Sequence, residues 1–343
     1  MQRCLQLAKI GAGNVAPNPM VGAVLVYDGK IIGEGFHEKF GEAHAEVNCL
    51  RSVKDENREF IKHATMYVSL EPCVHFGKTP PCADLIIENK IPEVVIGCED
   101  AFEKVNGKGI EKLQKAAIAV ATGILEDECK KINKRFFTFN KLKRPYIILK
   151  WAQTANNKIS DDAGSSERLL ITNDFTNRLV HKWRSEEAAI LIGTKTALLD
   201  NPKLNNRLWA GNNPVRLVVD KKLAIPLSHK IFDKEAKTIV FNGEKHEINE
   251  NLVFYKLNGN VNFIEQLMDA CYQLKIQSII VEGGARLLQS FIDAGLWDEA
   301  RIITNTTLQV DAGLNAPLLC KSKLLHSENF LNDRIQYYLP VND

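Results

Sequence analysis

The sequence has no apolar run long enough to cross a membrane, and no apolar signal-like stretch follows Met1. With both signals missing, the chain is expected in the cytoplasm and without a membrane partner. It also has no excess of charge of either sign. The 44 Lys and Arg stand against 42 Asp and Glu, a formal net charge of +2. That balance calls for no polyanion, so no nucleic-acid partner is expected. Eight cysteines, at positions 4, 49, 73, 82, 98, 129, 271 and 320, form no dense framework. In a reducing compartment they serve as thiols, metal ligands or small core residues, not as disulfides. Finally, no Gly-x-Gly-x-x-Gly follows a strand-like segment, which removes the Rossmann dinucleotide fingerprint.

The chain has 343 residues, a length that favours two domains, and 45% of them are hydrophobic, as in ordinary globular proteins. Strand-like Val21–Val26 and Lys30–Gly33 bracket Asp28-Gly29, a hairpin signal. A helix is expected from His44 through Leu50, a strand over Thr65–Leu70, a helix over Cys82–Asn89 and a strand over Val94–Gly97. This alternation predicts a three-layer α/β domain. A charged helical stretch, Glu126–Lys143, leads to Arg144-Pro145, where the domain boundary is placed: residues 1–143, then 144–343.

The second part predicts strand Tyr146–Lys150, helix Asp174–Ser185, strand Ala188–Ile192, helix Thr194–Leu199, and strands Val215–Asp220 and Thr238–Phe241. Helix Phe263–Leu274, strand Ser278–Val281, helix Ala285–Ala294 and strand Ala300–Thr304 complete it. The Asn-rich stretch Lys203–Pro214 reads as an exposed loop.

The chemistry concentrates in His44-Ala45-Glu46, Glu71-Pro72-Cys73 and Cys82. One imidazole and two thiols form the ligand set of a zinc with an open fourth position, where water can be activated. Glu46 is the catalytic candidate, taking a proton from that water and delivering it to a ring nitrogen and the leaving amine. Singly, each ligand reads more readily as a core or surface residue; together, at the starts of two helices, they read as a metal site. His75 competes as a fourth ligand or contacts substrate. His-x-Glu followed by Pro-Cys-x-x-Cys is the signature of zinc-dependent base deaminases, but here eight residues separate the cysteines.

That longer insert, Val74-His75-Phe76-Gly77-Lys78-Thr79-Pro80-Pro81, resembles the zinc motif of the bifunctional deaminase–reductases of riboflavin biosynthesis. Pro17-Asn18-Pro19-Met20-Val21-Gly22, Gly33-Glu34-Gly35-Phe36-His37 and Val105-Asn106-Gly107-Lys108-Gly109-Ile110 extend the resemblance, which covers nearly the whole chain. It implies a cytidine-deaminase-like first domain acting on a phosphorylated pyrimidine, the diaminopyrimidinone carrying ribose 5-phosphate, which loses its 2-amino group as ammonia. Asn18 and His37 would line the pyrimidine pocket, with His75, Lys78 and Thr79 near the phosphate. The family's Asp-Pro is replaced here by Asp100-Ala101.

Two strand-to-helix turns, at Gly193-Thr194 and Glu282-Gly283-Gly284, are of a kind that brings backbone N–H groups to a phosphate, although glycine at a strand end is most often only a turn residue. Gly193, Thr194, Thr196, Asp200, Pro202, Leu204 and Arg207, with Val281 to Gly284, resemble the reductase half of the same family, whose fold is similar to dihydrofolate reductase. The resemblance implies hydride transfer from NADPH, opening the ribosyl group to a ribityl chain. Lys150, Arg168, Arg184, Leu204, Arg207 and Glu282 would contact substrate, with Arg184 and Arg207 clamping its phosphate. NADPH would lie along Ala152, Leu170, Thr196, Asp200 and Lys221, with Gly284, Ala285, Arg286, Leu287, Leu288, Gln289 and Ser290 under its phosphates.

Arg168 stands where the family has a substrate-binding serine, and Leu170 where it has tryptophan. Zinc and NADPH are the expected cofactors, and a homo-oligomer is expected. Two other readings compete: a deaminase whose C-terminal half only binds substrate or assembles, and a nucleic-acid base deaminase fused to an unrelated domain.

Overall fold

Asp28 and Gly29 both take positive φ, 47° and 70°. That is the primed-turn geometry whose twist matches paired antiparallel strands. They join β1 (Gly22–Tyr27) to β2 (Lys30–Phe36). This hairpin belongs to the first of two compact units, Met1–Lys143 and Arg144–Asp343, in a computed structural model that describes residues 1–76, 80–161, 169–258 and 262–341.

In the first unit α1 (Gln2–Ile10) precedes the hairpin. Then follow α2 (Ala45–Arg51), β3 (Thr65–Leu70), α3 (Cys82–Glu88), β4 (Glu93–Cys98), α4 (Lys108–Lys115), β5 (Ala119–Ala121), α5 (Glu126–Ile132) and α6 (Lys134–Leu142). The sheet order is β2-β1-β3-β4-β5, with β3, β4 and β5 parallel. Alternating side chains feed two layers: Ala23, Leu25, Met66, Val68, Val94 and Ile96 pack with Cys49 and Ile86, while Val24 packs with Cys4 and Leu7 of α1. The charged stretch expected as one helix is two. Asn133 interrupts it because its side chain accepts from the Met20 N–H and donates to the Met20 carbonyl, both at 2.8 Å. The sequence reading did not identify helix α1 or the short β5.

The second unit contains β6 (Tyr146–Gln153), α7 (Asp174–Glu186), β7 (Ala189–Gly193), α8 (Thr194–Asp200), β8 (Val215–Val219), β9 (Thr238–Asn242), β10 (Glu247–Ile248) and β11 (Leu252–Lys256). It continues with α9 (Phe263–Gln273), β12 (Ser278–Val281), α10 (Ala285–Asp293), β13 (Glu299–Asn305), β14 (Ser322–Phe330) and β15 (Asp333–Pro340). These strands form one sheet in the order β10-β11-β9-β8-β7-β12-β6-β13-β15-β14, its centre parallel and its ends antiparallel. The central strands are apolar on both faces, as a sheet covered by helices on both sides requires. Ile147, Leu149, Leu191 and Ile279 meet Leu267 and Phe291 on one face, and Ile148, Ile190 and Ile280 meet Val180 and Trp183 on the other. Each such buried aliphatic side chain contributes about 1.5–3 kcal/mol relative to exposure.

The sequence reading missed β10, β11 and the terminal β14–β15 hairpin. It also took residues 203–214 as an exposed loop, whereas Leu204 and Asn205 are buried, 4% and 8% exposed.

From β7 the chain moves outward to β8, whereas from β12 it crosses the other way to β13. The carboxyl ends of neighbouring β7 and β12 therefore form a topological switch point, the place where open α/β sheets leave a crevice for ligand.

Helix α1 packs so closely on β1 that a Cβ at Gly22 would lie 2.1 Å from the Cys4 carbonyl oxygen. Gly22→Ala is expected to destabilise the first unit by about 1–3 kcal/mol through overpacking. Scanning calorimetry should show the lower transition, and an unchanged thermogram would contradict this packing.

Candidate active sites

The first site is assembled where two short helices begin. His44 is the N-cap of α2, Glu46 lies in its first turn, and Cys82 opens α3. Cys73 follows Pro72 just beyond β3. His44 Nδ1 lies 3.5 Å from the Cys73 sulfur and 3.3 Å from that of Cys82, and all three donor atoms fall within 4.8 Å of one another. A tetrahedral zinc with bonds of about 2.0–2.3 Å needs donor separations of this order. With three protein donors, one coordination position stays open.

The Cys82 backbone N–H also donates to the Cys73 sulfur, at 3.3 Å. Hydrogen bonding from the Cys82 thiol outweighs the cost of burial and, with help from His44, draws the Cys73 thiol down to about 4. The shared proton pushes Cys82 the other way, and burial adds to the rise. One thiolate is thus already favoured in the donor set, as metal binding requires. Glu46 is 3% exposed. Burial first, then the Cys73 charge, raises its carboxyl above the ordinary value.

Asn18 and His37 are linked beside this centre. His37 Nδ1 donates to the Ala43 carbonyl at 3.0 Å, which leaves Nε2 to accept from the Asn18 amide at 3.1 Å. The His37 ring stands edge-on to that of His44, with centroids 5.3 Å apart. His75 packs edge-on against Phe102, and its buried Nδ1 has no hydrogen-bond partner among the described residues. A ligand group would satisfy it. Lys78 and Thr79 lie outside the described residues, as does Arg168.

In the second unit three elements converge beneath the switch point. Arg184 of α7 donates to both oxygens of Glu282, at 2.8 and 2.7 Å, and Lys150 of β6 approaches the same carboxylate at 3.5 Å. Burial would raise Glu282, but Arg184 and Lys150 overcome it and hold the carboxyl at about 2. Arg207 is exposed on the loop above, its backbone N–H donating to His181 Nδ1 at 3.2 Å. His181 is a residue the sequence reading missed. It is 1% exposed, and burial, then Arg184 and Arg207, press its pKa down to about 4. Its position one helical turn before Arg184 was the available signal.

The two glycine turns, separate candidates in the sequence, face each other across the crevice. Gly284 has φ +72°, and a Cβ on it would come 3.2 Å from Thr196 Oγ1. Gly283 fits against Ile192, where a Cβ would lie 2.7 Å away. The turn therefore presents bare backbone at the start of α10, a cradle that suits a pyrophosphate.

The other expected cofactor and substrate contacts are unequal. Ala152 is half-buried on β6; Asp200 and Arg286 are exposed; Leu170 is 81% exposed. Lys221 places its ammonium over the Phe263 ring, 4.3 Å from the centroid. Ala285, Leu287 and Gln289 are half-buried and Ser290 is exposed on α10. Leu288 and Leu204 direct their side chains into the core and are only 1% and 4% exposed.

Residues 1–98 match the family described as the cytidine and deoxycytidylate deaminase zinc-binding region, and residues 145–309 match the RibD C-terminal domain. The riboflavin biosynthesis protein RibD of Aquifex aeolicus is 41% identical over 304 residues, covering 87% of this chain and 83% of its own. That of Escherichia coli K12 is 35% identical, covering 87% and 84%. A crystal structure from Thermotoga maritima, described as a diaminohydroxyphosphoribosylaminopyrimidine deaminase/5-amino-6-(5-phosphoribosylamino)uracil reductase, superposes with a TM-score of 0.88. It is 37% identical, and the match covers 99% of this chain and 97% of that one.

Glu282 supplies a stability test with a defined sign. Its depressed pKa contributes stability that is complete above the ordinary 4.5 and is lost as pH falls toward about 2. Glu282→Gln leaves buried Arg184 without its counter-charge, an expected cost of about 3–5 kcal/mol to the second unit. Calorimetry should also show the acid dependence flattened, and an unaltered pH profile would refute the assignment. The two domain matches, the relatives aligned across most of the chain and the shared fold place the chain in the RibD family of riboflavin biosynthesis proteins, bifunctional enzymes that join a deaminase to a reductase.

Proposed function

We propose that the two activities follow chain order, with the zinc-dependent pyrimidine deaminase and its linker helix in residues 1–143 and the NADPH-dependent reductase in residues 144–343. The observation that carries the first assignment is the three-donor set of His44, Cys73 and Cys82 with buried Glu46 beside it. The substrate we assign is 2,5-diamino-6-(5-phosphoribosylamino)pyrimidin-4-one. Zinc in that donor set supplies the Lewis acidity that makes water nucleophilic near neutral pH. Glu46 takes one proton from the attacking water to the ring nitrogen, then carries the added hydroxyl's proton to the 2-amino group, which leaves as ammonia as the carbonyl forms. Asn18 and His37 orient the pyrimidine edge, and His75 offers its Nδ1, which has no partner among the described residues. Lys78 and Thr79 are assigned to the ribose phosphate on sequence grounds alone.

For the second step, NADPH supplies the hydride that opens the ribosyl group to ribityl. Lys150 and Glu282 face the reacting end of the substrate, while Arg184 and Arg207 hold its phosphate. Arg184 and Lys150 meet on the Glu282 carboxylate, and guanidinium and ammonium groups of this kind suit a phosphate monoester. The backbone at Gly284, opposite Thr196, receives the cofactor's phosphates. This paired charge cluster and the match over residues 145–309 favour a working reductase over a passive binding module.

We further place the chain in the cytoplasm, in keeping with eight free cysteines. Among the described residues no helix is long and apolar enough to cross a membrane. A homo-oligomer is proposed because Leu324 and Leu325, on edge strand β14, are 46% and 57% exposed. Sedimentation velocity should show a species larger than one chain, and a monomer at micromolar concentration would remove this proposal.

Without NADPH, the pyrimidine substrate should give only the deaminated mass, and with NADPH a further gain of two hydrogens. Glu46→Gln should lower ammonia release by roughly 10²–10⁴-fold with zinc retained and reduction of the deaminated intermediate unchanged. Full turnover in that variant would remove Glu46 from the mechanism.

A further inference from the structure

Glu71 ends the strand that delivers Cys73. Its backbone N–H still pairs with the Cys98 carbonyl at 3.0 Å, but its side chain turns inward and is 3% exposed. One carboxylate oxygen accepts from the N–H groups of Asp100 and Gly107, at 3.1 and 2.9 Å. The other accepts from Gly109 and Ile110, at 2.8 and 3.2 Å. A carboxylate offers about four lone-pair positions, so this one is saturated by backbone alone. Three of the donors surround the start of α4, so Glu71 caps that helix from another part of the chain.

This contact accounts for the glycines of Val105–Ile110, to which the reaction assigned no task. Gly107 takes φ +81°, and a Cβ on Gly109 would lie 2.2 Å from the Pro72 carbonyl oxygen. The clamped segment starts at Asp100, whose carboxylate accepts from the Phe102 N–H at 2.7 Å. The Phe102 ring in turn packs on His75, with centroids 5.7 Å apart. Glu71 thus stands between both walls of the site, next but one to the Cys73 ligand and bonded to the segment that supports His75.

We propose that Glu71 is a positioning residue of the deaminase centre, fixing Cys73 for zinc and, through Phe102, His75 for substrate. The proposal rests on the deaminase reading of this site. Glu71→Gln keeps the shape but turns an amide N–H₂ toward two backbone donors. In the full-length holoenzyme, competition with a chromophoric chelator should show zinc affinity reduced roughly 10–100-fold, the usual effect of losing a group that orients a metal ligand. The KM of the pyrimidine phosphate should rise, while reductase turnover in the same chain stays constant. The KM effects of Glu71→Gln and Phe102→Leu should be non-additive in a double-mutant cycle, which a merely structural role would not produce.

Should Glu71→Gln fail to fold, Gly109→Ala, which forces α4 away from Pro72, is expected to weaken zinc and raise KM in the same way. Wild-type zinc affinity and KM in a folded Glu71→Gln or Gly109→Ala chain would overturn the proposal, as would additive KM effects. A zinc-loaded wild-type chain that releases no ammonia would instead overturn the deaminase reading and leave the zinc measurement on Glu71 standing.

Discussion

A buried carboxylate persists only where other donors replace the water it has lost, and Glu71 obtains them entirely from backbone. Four N–H groups from a segment some thirty residues further along the chain converge on it. This brings together the end of β3, the start of α4 and the Phe102 wall. The donor set of His44, Cys73 and Cys82 depends on that geometry, because Cys73 has only Pro72 between itself and the clamp. Pro72 restricts the residue before it to extended backbone, so the strand direction carries through to the ligand.

The second unit handles buried charge in the opposite way. Glu282 faces Arg184 and Lys150, so its charge is met by cationic side chains and not by backbone. Its place beneath the switch point also follows from topology. The crossovers that leave β7 and β12 run in opposite directions along the sheet, and the bare glycine backbone lies where they part. Both sites therefore place N–H groups at chain turns, one set holding a protein carboxylate and the other proposed for phosphate.

Legibility varied with how local the cause was. Thr65–Leu70 and Ser278–Val281 have the bounds expected from their apolar runs, because strands buried on both faces carry their signal in consecutive residues. Strand β14 was missed because its side chains are mostly exposed and show no apolar alternation. The break between α5 and α6 was missed because its cause, Asn133 bonding Met20, lies 113 residues away in sequence. Burial of Leu204 and Asn205 in an Asn-rich loop has the same origin: the loop is held by α7, through Arg207 on His181, and not by its own composition.

Within the sites, residue type and spacing alone determined the zinc chemistry, since few side chains bind zinc and a carboxylate two residues from the histidine lies on the same helix start. The insert between the cysteines, by its resemblance, pointed to a phosphorylated pyrimidine. Tertiary structure alone decided that two glycine turns ninety residues apart share one crevice and that Arg184 is held by Glu282. It also decided that Glu71, which reads in sequence as an ordinary acid before a proline, gathers four distant donors. Hydrogen-bond acceptance has no periodicity and no preferred separation along the chain, so only the folded backbone could show where those donors come from.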